Sequence, residues 1–385
     1  MPFDCRHRQT FGPDACLTDC PATEPHGGCQ YARVEAAGDL PPVDPAIIDV
    51  AVLDMHHGWP NLGHDAIVHG VQNAVCDLQQ PLAAAGLGFR VISYEIRHGH
   101  QIPGPPGGRH AIYIGTGGPG HLDPHLNDGV STGSQGIRED ARWEPHLFEL
   151  FDRIRADRDA ALLAVCHTFG VMCRWLGAAG VTLRGPDKGG KSAGILDNLL
   201  TPEAAAHPWF GQLARELPDR RRLKVLDNRL YDLIPYSSDL GPGLTAIGHE
   251  ALGIGGPRGP GLTMLEVERD RDGVVPRVFG VNHHPEIVNR QRQLTILRKR
   301  MERGEVTREW FAERSATLTQ DIDEHGDRSL HVTSSYTLLA PLRHYLYREA
   351  RQRAEALGRT LDLDLTRLPL TFRPSAAQLQ AGDRG

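Results

Sequence analysis

The chain has 385 residues, 40% of them apolar, enough for one large domain with additions or for two modest domains. The net charge is −6 with both signs mixed along the sequence, which argues against nucleic acid or an anionic membrane as partner. Apolar runs are too short to span a bilayer and MPFDCRHRQT lacks the apolar stretch of a secretion signal, so a cytoplasmic protein is expected.

In chain order, residues 1–45 are rich in Cys, Pro, Gly and Asp without periodicity and read as an irregular extension. Cys5, Cys16, Cys20 and Cys29, with His7 and His26, are weak zinc candidates, but the spacing C-x10-C-x3-C-x8-C fits no standard module. Seven cysteines in a cytoplasmic chain do not suggest a disulfide framework. No metal and no cofactor are expected. Strands are predicted over 47–55, 89–96, 111–114 and 160–165, with helices over 61–85, 144–156 and 167–176. The apolar, unalternating strands and the strand–helix alternation predict a parallel sheet covered on both faces. Residues 121–141 are polar and loop-like. Further strands are predicted over 244–249, 263–268 and 277–281. Residues 287–304, 307–322 and 335–357 read as amphipathic helices, with Leu338, Leu339, Leu342, Tyr345 and Leu346 recurring at helical spacing.

Three segments carry chemistry. In ALLAVCHTFG an apolar strand ends at Cys166 and a helix begins at once, a turn that exposes a nucleophile and sets helix amides beside it. The ordinary use of such a segment is a buried structural cysteine. In VFGVNHHPEIV a strand runs into His284, a candidate general base, and Glu286, which would orient the imidazole and stabilise its charged form. His283 is expected to point the other way along that strand. In IYIGTGGPG a strand ends in a glycine turn whose amides can face a developing negative charge; a phosphate loop or a plain turn are the competing uses.

Taken together, in this order, the segments resemble the class I glutamine amidotransferase family, over roughly residues 47–290. The resemblance implies a flavodoxin-like α/β domain, here at 46–290 between the extension at 1–45 and a helical extension and tail at 291–385. It implies Cys166 as nucleophile, His284 as base, Glu286 as orienting acid, and the amides of Gly118 and His167 as an oxyanion hole. Gly117, His56, His57 and Gly170 are candidate substrate contacts, with His64 and Asp65 nearby. Where the family usually has Gly two residues before and after the cysteine and Gln four after, this chain has Ala164, Thr168 and Gly170. Gly118 and Cys166 are 48 residues apart (166 − 118), implying an insertion around 121–141 at the pocket mouth. Residues 185–192, GPDKGGKS, match a phosphate-loop pattern, but the following SAGILDN is a poor helix start and a plain turn is expected. The expected activity is cysteine-dependent hydrolysis or transfer on a carboxamide, either glutamine or a γ-glutamyl compound. A synthetase partner would receive any ammonia that is used, and a homo-oligomer is compatible with the sequence. The alternatives are a γ-glutamyl hydrolase or acyltransferase on the same triad, or a non-catalytic binding protein.

Overall fold

Strands that are apolar on both faces can be stable only inside a covered sheet, and this requirement organises the fold. The computed structural model describes residues 29–362 apart from 59–61, 77, 186–189 and 238. Its strands are β1 (Cys29–Val34), β2 (Ile47–Asp54), β3 (Gly88–Glu95), β4 (His110–Gly115), β5 (Ala161–Val165), β6 (Ala179–Leu183), β7 (Ser192–Leu200), β8 (Arg222–Arg229), β9 (Tyr231–Pro235), β10 (Thr245–Ala251), β11 (Arg258–Arg269) and β12 (Pro276–Val281). Ten form one sheet in the order β1-β3-β2-β4-β5-β12-β11-β10-β7-β8, and β6 pairs with β9 apart from it. All pairings from β1 through β12 are parallel, and those from β12 to β8 are antiparallel. Without the edge strand β1, the parallel half has the second-first-third-fourth-fifth order of a flavodoxin-like sheet.

The helices are α1 (Leu62–Cys76), α2 (Gln79–Ala84), α3 (Trp143–Ala156), α4 (His167–Trp175), α5 (Pro202–Ala206), α6 (Phe210–Glu216), α7 (Arg290–Glu302), α8 (Arg308–Leu318), α9 (Glu324–Ser334) and α10 (Ala340–Ala356), the last two joined by a π-helical turn at Ser335–Leu339. One face of the sheet packs against α1, α6 and α10, through Val71, Leu213, Tyr345 and Leu346. The other packs against α3 and α4, through Phe151, Phe169 and Met172. A smaller apolar cluster, including Ile195, Leu226, Ile287, Leu297 and Leu318, ties α7 and α8 to β7 and β8. The predicted helical C-terminal extension is therefore present, and it shares the core of the sheet.

The structure differs from the sequence reading in several places, and strands β6 to β9 and helices α5, α6 and α9 are elements that the reading did not contain. Residues 29–34, read as part of an irregular extension, form β1, which pairs in parallel with β3. Cys29 is fully buried in the core, and burial raises its thiol pKa; it is no exposed metal ligand. Cys5, Cys16 and Cys20 lie outside the described residues, among which no cluster of His, Cys, Asp and Glu is arranged to hold a metal. The single helix expected at 61–85 is two, α1 and α2. The phosphate-loop-like segment lies partly outside the described residues, but Ser192 opens strand β7, where a phosphate loop would open a helix. No helix among the described residues is long and apolar enough to cross a membrane.

Candidate active site

Strand register brings the predicted segments together. Gly115 at the end of β4 pairs with Ala164 in β5, and Val165 pairs with Val281 at the end of β12. The residues that follow these ends, 116–118, 166–167 and 282–286, therefore emerge side by side at the carboxyl edge of the parallel strands, where ligand crevices form in open α/β sheets.

Cys166 occupies the turn between β5 and α4 with φ 49° and ψ −99°, a strained conformation for a non-glycine residue. Its amide donates to Val281 O at 2.7 Å and its carbonyl accepts from Gly170 N at 3.0 Å, so the strain is held by neighbours on both sides. The amide of His167 opens the first turn of α4, where N–H groups have no acceptor within the helix. Thr168 stands where a small residue was expected, and the adjacent strand makes room for it. A Cβ on Gly115 would lie 2.2 Å from Thr168 Cγ2. The Thr168 hydroxyl donates to Thr116 O at 2.7 Å, tying α4 to the glycine turn.

His284 Nδ1–H donates to Glu286 Oε1 at 2.8 Å. Nε2 meets no nitrogen or oxygen partner and is left facing the cavity that Cys166 lines. Burial disfavours the imidazolium, but the Glu286 carboxylate and a Cys166 thiolate outweigh it and raise the His284 pKa to about 10. A Cβ on Gly117 would lie 3.0 Å from His284 Cε1 and 3.7 Å from Cys166 Sγ, so base and thiol converge on this glycine, which only a hydrogen side chain leaves open. His283 is turned into the interior, 3.5 Å from Thr337 Oγ1, and burial lowers its pKa to about 3.

The glycine turn is fixed from behind. A Cβ on Gly118 would lie 2.2 Å from Met55 O. The buried Arg97 guanidinium donates from Nη1 to Met55 O at 2.9 Å and to Pro119 O at 2.6 Å. It also grips Glu139 with Nε and Nη2, at 2.5 and 2.6 Å. One cation thus joins the end of β2, the glycine turn and the insertion at 121–141. The insertion reaches the turn again where Gly120 N donates to Gln135 Oε1 at 2.8 Å.

These groups line a cavity of about 210 Å³. His56 lines it and His57 does not; His57 packs edge-on against His98 with ring centroids 5.3 Å apart. His56 Nδ1–H donates to Asp54 Oδ1 at 2.7 Å, and its buried Nε2 has no partner. Burial lowers the His56 pKa to about 4 despite Asp54, leaving a neutral ring. His64 is turned into the fold, with Nε2 2.8 Å from Ser93 Oγ, and Asp65 pairs with Arg300 at 2.5 Å. Gly170 has no side chain to offer a substrate, and its amide is already donated to Cys166 O. A Cβ there would meet Leu122 Cδ1 at 2.5 Å, so an apolar side chain from the insertion fills the space that a longer residue 170 would need.

Sequence reasoning missed the far wall. Trp310, Glu313, Arg314 and Thr317 of α8 close the cavity over Cys166, with Lys191 beside them. Lys191 Nζ and Glu313 Oε1 pair at 2.5 Å, fastening α8 to the start of β7. Only Lys191 lay within a local motif, and that motif pointed to phosphate binding.

No family model and no curated protein matches the chain. Several solved structures resemble it. A glutamine amidotransferase from Thermotoga maritima is 15% identical with a TM-score of 0.41, covering 78% of this chain and 98% of that one. A glutamine amidotransferase from Methylobacillus flagellatus is 14% identical with a TM-score of 0.40, covering 83% and 98%. The glutaminase domain of Trypanosoma brucei CTPS with bound acivicin is 11% identical with a TM-score of 0.39, covering 62% and 86%. With identities and TM-scores this low these likenesses carry no argument, and function rests on the site itself.

Proposed function

We propose that the chain is a cysteine-dependent amidohydrolase or amidotransferase of the glutamine amidotransferase type. The observation that carries this reading is Cys166 at a positive-φ turn, converging on Gly117 with a His284 that is hydrogen-bonded to Glu286. In the proposed reaction the Cys166 thiolate attacks the carboxamide carbon and the carbonyl π electrons move to oxygen. The amides of Gly118 and His167 receive that oxyanion. The intermediate collapses, the C–N bond breaks, and His284 Nε2–H protonates the departing amine, leaving a thioester on Cys166. Water then adds to the thioester carbon while His284 accepts its proton, and the C–S bond breaks to release the acid and restore the thiolate. The balance is amide plus water to acid plus amine, with no cofactor. Ammonia released from a primary carboxamide would serve a synthetase only through a partner.

A second reading on the same groups is a γ-glutamyl hydrolase or acyltransferase. Leu122 favours it, because it fills the space beside Gly170 with hydrocarbon. The test is turnover of glutamine and of γ-glutamyl amides by the purified chain, with acid quench and mass spectrometry of the Cys166 peptide. An acyl adduct on Cys166, absent in Cys166→Ala, supports the mechanism. Full turnover by Cys166→Ala would overturn it.

A further inference from the structure

The cavity contains a cation, Arg314, that no carboxylate among the described residues holds. Trp310, Glu313, Arg314 and Thr317 recur at helical spacing and form one face of α8, turned to the cavity. Arg314 stacks on Trp310, its Cζ 5.3 Å from the ring centroid, which fixes the guanidinium plane. Its Nε is buried and has no hydrogen-bond partner, and no ion pair forms at this side chain among the described residues. The other cations of the wall are committed. Lys191 pairs with Glu313. Arg229 donates to Asp227 at 2.7 Å, to Asp232 at 3.1 Å and to Glu250 at 2.6 Å. At this end of the cavity Glu313 is taken up by Lys191, and the other negative charge that favours the Arg314 guanidinium is that of Cys166, so no carboxylate among the described residues is committed to Arg314.

Resting on the nucleophile assignment above, we infer that Arg314 is the specificity residue for an anionic substrate. On this proposal its guanidinium edge hydrogen-bonds a carboxylate on the acyl donor while Cys166 attacks the carbonyl. The planar fork of arginine suits a carboxylate, and Trp310 presets its orientation before binding. The residue lies in the C-terminal extension, outside the motifs at 112–120, 161–170 and 278–288 that carry the sequence resemblance, so the extension would be part of the substrate site.

Two alkylating probes of similar size test this without knowledge of the substrate. Iodoacetate and iodoacetamide both form a bond from Cys166 sulfur to their methylene carbon and expel iodide, and only the first is an anion. Alkylation of the Cys166 peptide is followed by mass spectrometry in the full chain. The iodoacetamide rate reports the nucleophile, and the ratio of the two rates reports the anion subsite. Arg314→Gln is expected to lower the iodoacetate-to-iodoacetamide ratio roughly fivefold to tenfold, as for loss of a charge-assisted hydrogen bond; the iodoacetamide rate in the same variant normalises for the change that Arg314 makes at Cys166 itself. Arg314→Lys should keep part of the preference. Glu313→Gln should move the ratio the other way, since it removes the competing carboxylate, and this holds the proposal to account even if Arg314→Gln folds poorly. A ratio unchanged in Arg314→Gln with intact iodoacetamide reactivity, or a ratio lowered in Glu313→Gln, would overturn it. A wild-type Cys166 no more reactive to iodoacetamide than the other cysteines would instead count against the nucleophile reading.

Discussion

At the scale of single residues, the charge state of His284 is set by the groups on either side of its ring. Burial alone would make the ring neutral, as it does at His56 and His283, where the pKa falls to about 4 and about 3. The difference at His284 is the opposing charge on either side, Glu286 and Cys166, which raises its pKa to about 10. A raised folded-state pKa means that the imidazolium stabilises the fold fully below its unfolded value near ~6.5, and that this contribution is lost as pH rises toward about 10. The expected outcome is a His284 ring that NMR finds protonated at pH 8, with a titration midpoint that Glu286→Gln lowers by about one unit or more, a change worth ~1.4 kcal/mol or more. A midpoint unmoved by Glu286→Gln would show that the carboxylate does not hold the charge. This pair was legible in the sequence, because His284 and Glu286 are two residues apart and their contact needs only the local turn at Pro285. His56 was legible as a candidate but not distinguishable from His57, since adjacent residues at a strand end diverge in directions that only the tertiary packing fixes.

At the scale of elements, the contact between β4 and α4 shows how this chain accommodates a threonine two residues after Cys166. Thr168 sits where it does because Gly115 has no side chain, and a Cβ there would be 2.2 Å from Thr168 Cγ2. Gly115→Ala should cost about 1–3 kcal/mol of stability, the usual range for an overpacked core. Most of that cost should be recovered in Gly115→Ala with Thr168→Gly, measured as a coupling energy in chemical denaturation. Additive effects would mean that the two residues do not exclude one another. The insertion at 121–141 acts in the same way on the substrate side. Leu122 occupies the space beside Gly170, so a glutamine side chain cannot be added there without displacing it. The purified chain is expected to hydrolyse free glutamine weakly or not at all. Gly170→Gln alone should lose stability, whereas Gly170→Gln with Leu122→Ala should regain it and raise glutamine turnover. Brisk hydrolysis of glutamine by the wild-type chain, lost in Cys166→Ala, would keep the nucleophile and refute this account of substrate choice. Neither pairing was legible in the sequence, because Gly115 and Thr168, like Leu122 and Gly170, meet only when separate strands and loops are brought together.

At the scale of the whole molecule, the parallel half of the sheet was legible except for β1, and the antiparallel half only in β10 and β11. Strands β2 to β5 are continuous apolar runs that need cover on both faces, and the sequence shows that directly. Strands β7 and β8 instead carry Asp197, Lys224, Asp227 and Arg229, of which Lys224 pairs across the strands with Asp197 and Arg229 pairs along β8 with Asp227, so their sequences read as polar connections. Of the C-terminal helices, α7, α8 and α10 were legible from their spacing and α9 was not, and none was legible as part of the same core. Tyr345 and Leu346 of α10 are fully buried with residues of β2 and β4, and the Tyr345 hydroxyl donates to Pro276 O at 3.1 Å. The Trp209 indole donates to Tyr336 O at 2.9 Å. A chain ending at residue 289 would expose this surface together with Leu226 and Ile287, which α7 and α8 cover. Full burial of one large apolar side chain contributes about 1.5–3 kcal/mol, and domains are stable by only about 5–15 kcal/mol, so losing several at once exceeds what the sheet can tolerate. The truncated chain is expected to be insoluble, or to lack a cooperative unfolding transition by circular dichroism. A soluble, cooperatively folding 1–289 fragment would show that the extension is a separable domain. It would then also have to lose the Arg314-dependent preference for iodoacetate, because the residues that close the cavity over Cys166 leave with α8.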